Sequence, residues 1–176
     1  MPLIELALML TLTLQGGGGR PSARELSGRE LFTALAGQWA CAGSFADGRP
    51  LAADLTFTRR NEGRSLAYHH ADRAPNTFIQ DATWGPDAPN DAIVSLAFAG
   101  NESTLGPQLF VAKEWSASKI VLVAQTLTSP PFRPNRFTYT LTDAKTLTVL
   151  WEVERDGTLT MGDQLTCVRA VEGVVR

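Results

Sequence analysis

Gly37-Gln38-Trp39-Ala40-Cys41-Ala42-Gly43 is the stretch whose reading decides the fold. Before it, apolar residues recur at a helical period; from Gly37 onward they alternate, and they keep alternating almost to the end of the chain. Trp39, Cys41, Gly43 and Phe45 therefore share one face of a strand that opens here. The same stretch holds one of only two cysteines; the other, Cys167, lies 126 positions later in the last strand-like run.

Upstream, Ser27-Gly28-Arg29-Glu30 has capping-box spacing, in which hydroxyl and carboxylate each satisfy a backbone N–H. Leu31, Phe32 and Leu35 then fall on one helical face, and Gly37 offers a left-handed stop. The pattern predicts a two-turn helix that could plug one end of a barrel. Residues 1–24 are different in kind: an apolar run, LALMLTLTL at 6–14, is followed by four glycines at 16–19 and by Pro21-Ser22-Ala23. The run is too short for a bilayer, which takes about 20 residues, but suits the apolar region of a secretory signal with a small-residue exit. The chain thus divides into a signal peptide and glycine linker over 1–24 and one barrel domain over 25–176. The expected location is secreted or periplasmic, without a transmembrane segment in the mature chain. The alternative is a disordered N-terminus that plays no part in export.

Downstream, Asp47-Gly48 is a hairpin signal, and Leu51, Ala53, Leu55 and Phe57 alternate with polar or small residues in the clearest half-buried strand. Further runs follow at 65–71, 78–84, 92–99, 108–115, 119–127, 136–141, 146–153 and 158–169, separated by turns such as Asn61-Glu62-Gly63, Gly85-Pro86 and Asp156-Gly157. No helical run of crossover length lies between them, which argues against a parallel sheet. The fold class is all-β: an up-and-down antiparallel barrel of 8–10 strands with a short N-terminal helix.

The totals agree. Of 176 residues, 44% are hydrophobic and 19% charged, with a net charge of −2. The roughly 150 residues after the N-terminal segment can bury about two-thirds of their unfolded surface without a metal. No Lys/Arg run or basic stripe is present, so nucleic acid is excluded as a partner.

In a closed barrel with an even strand count, first and last strands are antiparallel neighbours. If Cys41 faces Cys167 there, constant register places Trp39 opposite Arg169 and Gly43 opposite Leu165. A guanidinium over an indole is a favourable cation–π pair, worth roughly 0.5–2 kcal/mol. A structural disulfide is the preferred reading; a redox or metal pair, and two unpaired buried thiols, remain as alternatives.

A short helix, Gly37-x-Trp39 on the first strand and Arg169 near the end of the last resemble the lipocalin and wider calycin barrels. That resemblance implies that Trp39 closes the barrel base and Arg169 packs across it. The Gly37-x-Trp39-x-Cys41-x-Gly43 pattern is also distantly similar to nitrobindin-like barrels. Tyr68-His69-His70-Ala71-Asp72, Pro75-Asn76 and 162–167 resemble uncharacterised bacterial lipocalin-like domains. Haem binding does not carry over, because no histidine follows His70 to serve as the late axial ligand.

Few residues carry chemistry. His69 and His70 are adjacent on a strand, so they point to opposite faces and cannot share a metal. His70, Asp72 and Tyr68 share a face, and a His-x-Asp pair could act as general acid and base; the alternative is a polar cluster at the barrel mouth, bonded to the Pro75-Asn76 turn. No metal or cofactor is expected, and no catalytic residue is assigned. Phe78, Trp84, Phe137, Tyr139 and Trp151 share the apolar phase with Tyr68. Together with His70 and Asp72 they are the candidate ligand-binding residues, lining the interior or mouth of a barrel with room for side chains or one small ligand. The expected function is non-catalytic binding of a small apolar or amphipathic molecule. Two alternatives stand beside it: an isomerase, cyclase or hydrolase working through His70 and Asp72, and an envelope or interaction protein with a packed barrel.

Overall fold

The structure is a computed structural model that describes residues 22–101, 104–125 and 133–170. Residues 1–21 of the segment read as signal and linker (1–24), Glu102 and Ser103 of the Asn101-Glu102-Ser103 triplet, which fits the N-glycosylation pattern, and the prolines at 130 and 131 fall outside the described residues. Among the described residues, no helix is long and apolar enough to cross a membrane.

Helix α1 (Ala23–Leu35) leads into ten strands: β1 (Gly37–Phe45), β2 (Pro50–Arg60), β3 (Ser65–Asp72), β4 (Ile79–Asp87), β5 (Ala92–Gly100), β6 (Gly106–Ala112), β7 (Lys119–Gln125), β8 (Asn135–Leu141), β9 (Thr146–Arg155) and β10 (Thr158–Arg169). Each strand pairs antiparallel with its chain neighbour, and β10 closes onto β1. Cys41 stands opposite Cys167 and is bonded to it; Trp39 faces Arg169, and Gly43 faces Leu165. No free cysteine remains.

One end of the barrel is sealed. Leu31, Phe32 and Leu35 bury the inner face of α1 against Trp39, whose indole N–H donates to the Leu35 carbonyl at 2.9 Å. The Arg169 guanidinium lies 4.1 Å from the Trp39 ring centre and donates to the carbonyls of Ala34 and Ala36, which the last turn of α1 leaves without intrahelical partners. Gly37 makes room for this: its φ is +130°, and a Cβ there would sit 2.7 Å from Arg169 Nη1.

Several expectations are corrected. The helix starts earlier than the Ser27 box, because Ser22-Ala23-Arg24-Glu25 offers the same spacing and Ser22 Oγ accepts from the Glu25 N–H at 3.1 Å. It ends at Leu35, with the Ala36 N–H still reaching the Phe32 carbonyl, and Gly37 follows at a positive φ, as expected of its stop. Strand β4 runs through Pro86, which pairs with Ile93 near the rim, where a missing N–H is tolerated. Trp115 lies outside β6; its indole stacks under Arg24 and donates to the Arg24 carbonyl, so it belongs to the seat of α1.

Candidate functional site

The two halves of the barrel interior differ. Around the middle, Phe57, Tyr68, Trp84 and Tyr139 are all buried and fill the axis with ring-to-ring contacts of 4.7–6.3 Å between centroids. These rings form a floor. Beyond it, toward the end away from α1, the inward residues become polar on one side and small on the other. His70 and Asp72 come from β3, Gln80 from β4 and Asp163 from β10, whereas β5 contributes Ala97 and Ala99. Among the described residues no element covers this end as α1 covers the other.

The polar side is a chain of hydrogen bonds. The Tyr68 hydroxyl lies 3.1 Å from His70 Nδ1, and His70 Nε2 lies 2.7 Å from Asp72 Oδ1. The His70 and Asp72 side chains are only 7% and 5% exposed. Tyr68 is also hydrogen-bonded to Tyr139, and burial pushes both phenols well above their ordinary value. Asp163 completes the cluster: burial, then the neighbouring Asp72 charge, raise its carboxyl to about 7 from an ordinary 3.8. Gln80, paired with His70 across β3 and β4, is 3% exposed and its Oε1 has no hydrogen-bond partner.

Bulky side chains frame the mouth. Phe78 stands one residue before β4 and packs edge-on against His70 at 5.3 Å. Phe137 and Trp151 stack at 6.3 Å, and the Trp151 indole donates to Asn135 Oδ1 at 3.3 Å. A β-bulge at Gly162 seats Trp151: a Cβ on that glycine would come within 2.2 Å of the indole. Over Phe45, Trp151 and Gly162 lies a shallow cavity of about 490 Å³, rimmed by Asp47, Arg49 and Arg155. A different cavity of about 290 Å³ sits under α1, between Phe32, Ile93 and Trp115.

Every sequence-predicted ligand-binding residue is thus part of one inward-facing set, divided between floor (Tyr68, Trp84, Tyr139) and mouth (His70, Asp72, Phe78, Phe137, Trp151). His69 points outward to Asp81 at 2.7 Å, as strand alternation requires. The Pro75-Asn76 turn closes on itself through the Asn76 N–H and Arg73 carbonyl; His70 and Asp72 bond to each other instead. Sequence reasoning missed Asp163 and Gln80. Both share the inward phase of their strands, which is the signal that could have found them. Among the described residues no cluster of three or more His, Cys, Asp or Glu could hold a metal ion.

No family model matches the chain, and no curated protein matches it. Among solved structures, the barrel is similar to that of Rv2717c from M. tuberculosis, with a TM-score of 0.53 over 79% of this chain and 94% of that one. Identity is 14%, so the likeness establishes a shared fold and nothing about chemistry.

Proposed function

We propose that this is an exported, lipocalin-like barrel that binds a small amphipathic molecule at the end away from α1, without catalysis. The observation that carries the reading is the contrast between the ends. One is plugged by a helix and an arginine–tryptophan pair, while the other presents an aromatic floor, a wall of alanines and a buried amide oxygen with no partner. An apolar recess with a few convergent polar groups is the usual form of a small-ligand site. Export is supported by the disulfide, which persists in oxidising compartments.

His70 is held within the protein: both ring nitrogens are engaged, by Tyr68 and Asp72, and the side chain is nearly fully buried. The ring-filled middle favours a second reading, a barrel that is solid throughout and serves a structural role.

A neutral amphipathic dye, N-phenyl-1-naphthylamine, separates the two. It should bind at a single saturable site with a rise in fluorescence. Ala99→Phe, which plants a ring opposite Gln80, should weaken binding at least about tenfold, a cost of about 1.4 kcal/mol. Leu96→Ala, on the exposed outer face, should not change it. Absence of binding, or binding indifferent to Ala99→Phe, would leave the solid barrel as the better reading.

A further inference from the structure

We propose that the ligand taken at this mouth is a cationic amine with a small apolar body, held by Asp72, Asp163 and the amide oxygen of Gln80. The inference rests on the binding reading above and names the chemical class for that same recess.

Near the mouth one buried acceptor, Gln80 Oε1, lacks a partner; in the floor the Trp84 indole N–H lacks an acceptor. The Tyr68 hydroxyl can donate to His70 Nδ1, which leaves the single imidazole N–H on Nε2 to donate to Asp72. Gln80 Oε1, nearly fully buried and directly across the strand pair from His70, receives no hydrogen bond. A buried acceptor without a donor costs free energy unless a ligand supplies one. Two carboxylates stand near it: Asp72, bonded to His70, and Asp163, which feels the Asp72 charge. A protonated amine brings both the missing N–H donors and the missing positive charge. An alcohol would satisfy one acceptor and leave the charge uncompensated; a carboxylate would add to the repulsion. The Phe78 and Trp151 rings offer an apolar collar and π surface that favour a cation further.

Coupling to pH follows from the groups that face Asp163. From β3 come Tyr68 and Asp72, the latter bonded to His70, and from β8 comes Tyr139. The pairing neighbours on β1 and β9 are Phe45 and Trp151, neither of which titrates; β4 offers the neutral Gln80. At the rim, Arg49 is paired with Asp47 over the Phe45 ring, and Arg155 is exposed. Asp163 is therefore the carboxyl through which pH acts, raised to about 7 by burial. A bound ammonium favours its ionised form, so amine binding releases a proton below pH 7 and strengthens as pH rises through that value.

The test is competition against N-phenyl-1-naphthylamine by hexylamine, hexanol and hexanoate, at pH 5.5 and 8, with the native chain and Asp163→Asn. At pH 8 hexylamine should compete about tenfold better than hexanol, and hexanoate should be weakest. Lowering the pH to 5.5 should erase most of the amine advantage while hexanol stays level. In Asp163→Asn the advantage should shrink and lose its pH dependence. If hexanol matches hexylamine at pH 8, or if Asp163→Asn keeps the full pH-dependent preference, the amine assignment is overturned while the binding reading survives. If the dye itself fails to bind, both are overturned.

Discussion

Replacing Cys41 and Cys167 together by alanine should lower the unfolding free energy by several kcal/mol, toward a ceiling of about 5 kcal/mol. The chain-entropy relation sets that ceiling for a closed loop of about 126 residues. The bond joins β1 to β10, the strands at the two ends of the barrel. Without it, the unfolded chain recovers the freedom of almost the whole barrel sequence, and the seam depends on backbone pairing and on the Trp39–Arg169 contact alone. Urea unfolding of the oxidised protein, the dithiothreitol-reduced protein and the double variant gives the measurement. Both reduced forms should unfold at clearly lower urea. An unchanged midpoint in fully reduced protein would mean that the seam holds without the bond.

Asp163→Asn should make the protein more stable than the native chain at pH 8, and by a margin about 3 kcal/mol larger than at pH 5. The carboxyl ordinarily titrates at 3.8 and in the folded protein at about 7, so between those values the folded state holds a proton that the unfolded state has lost. Stability contributed by this group is therefore fully present below about pH 4. It falls by about 1.4 kcal/mol per pH unit and is gone above about pH 7. Asparagine keeps the shape of the neutral acid and cannot ionise, which removes the slope. Denaturant unfolding of both proteins at the two pH values checks this by difference, so titrations common to both cancel. A margin that does not grow with pH would show that Asp163 ionises freely in the folded state.

The seam was legible in the sequence because two independent features pointed to it. Alternation gave the faces of the first and last strands, and once Cys41 is set against Cys167 the register brings Trp39 to Arg169 without further choice. The start of α1 was not legible. Two Ser-x-x-Glu boxes, at Ser22 and Ser27, are equally good locally, and packing decides between them: the longer helix lays Gly28 against Ile93 and Trp115, far away in sequence. At the site, period two was enough to put Tyr68, His70 and Asp72 on one inward face. It fails at Gly162, because strict alternation would place Leu159 and Met161 on the same face as Leu165 and Cys167. The bulge leaves both exposed and makes Asp163 the first inward residue of that register. Nor could period two show that Phe57, Trp84 and Tyr139 meet across the axis, since that depends on barrel diameter and ring geometry.

Backbone amide mapping by ¹H–¹⁵N NMR, with the dye at saturation, tests most directly whether the mouth away from α1 is where the protein meets small molecules. The shifts are expected at Phe45, His70, Asp72, Phe78, Gln80, Trp151 and Asp163, with α1 and Trp115 unmoved. Shifts centred instead on Phe32, Ile93 and Trp115, in the cavity beneath the helix, would contradict it.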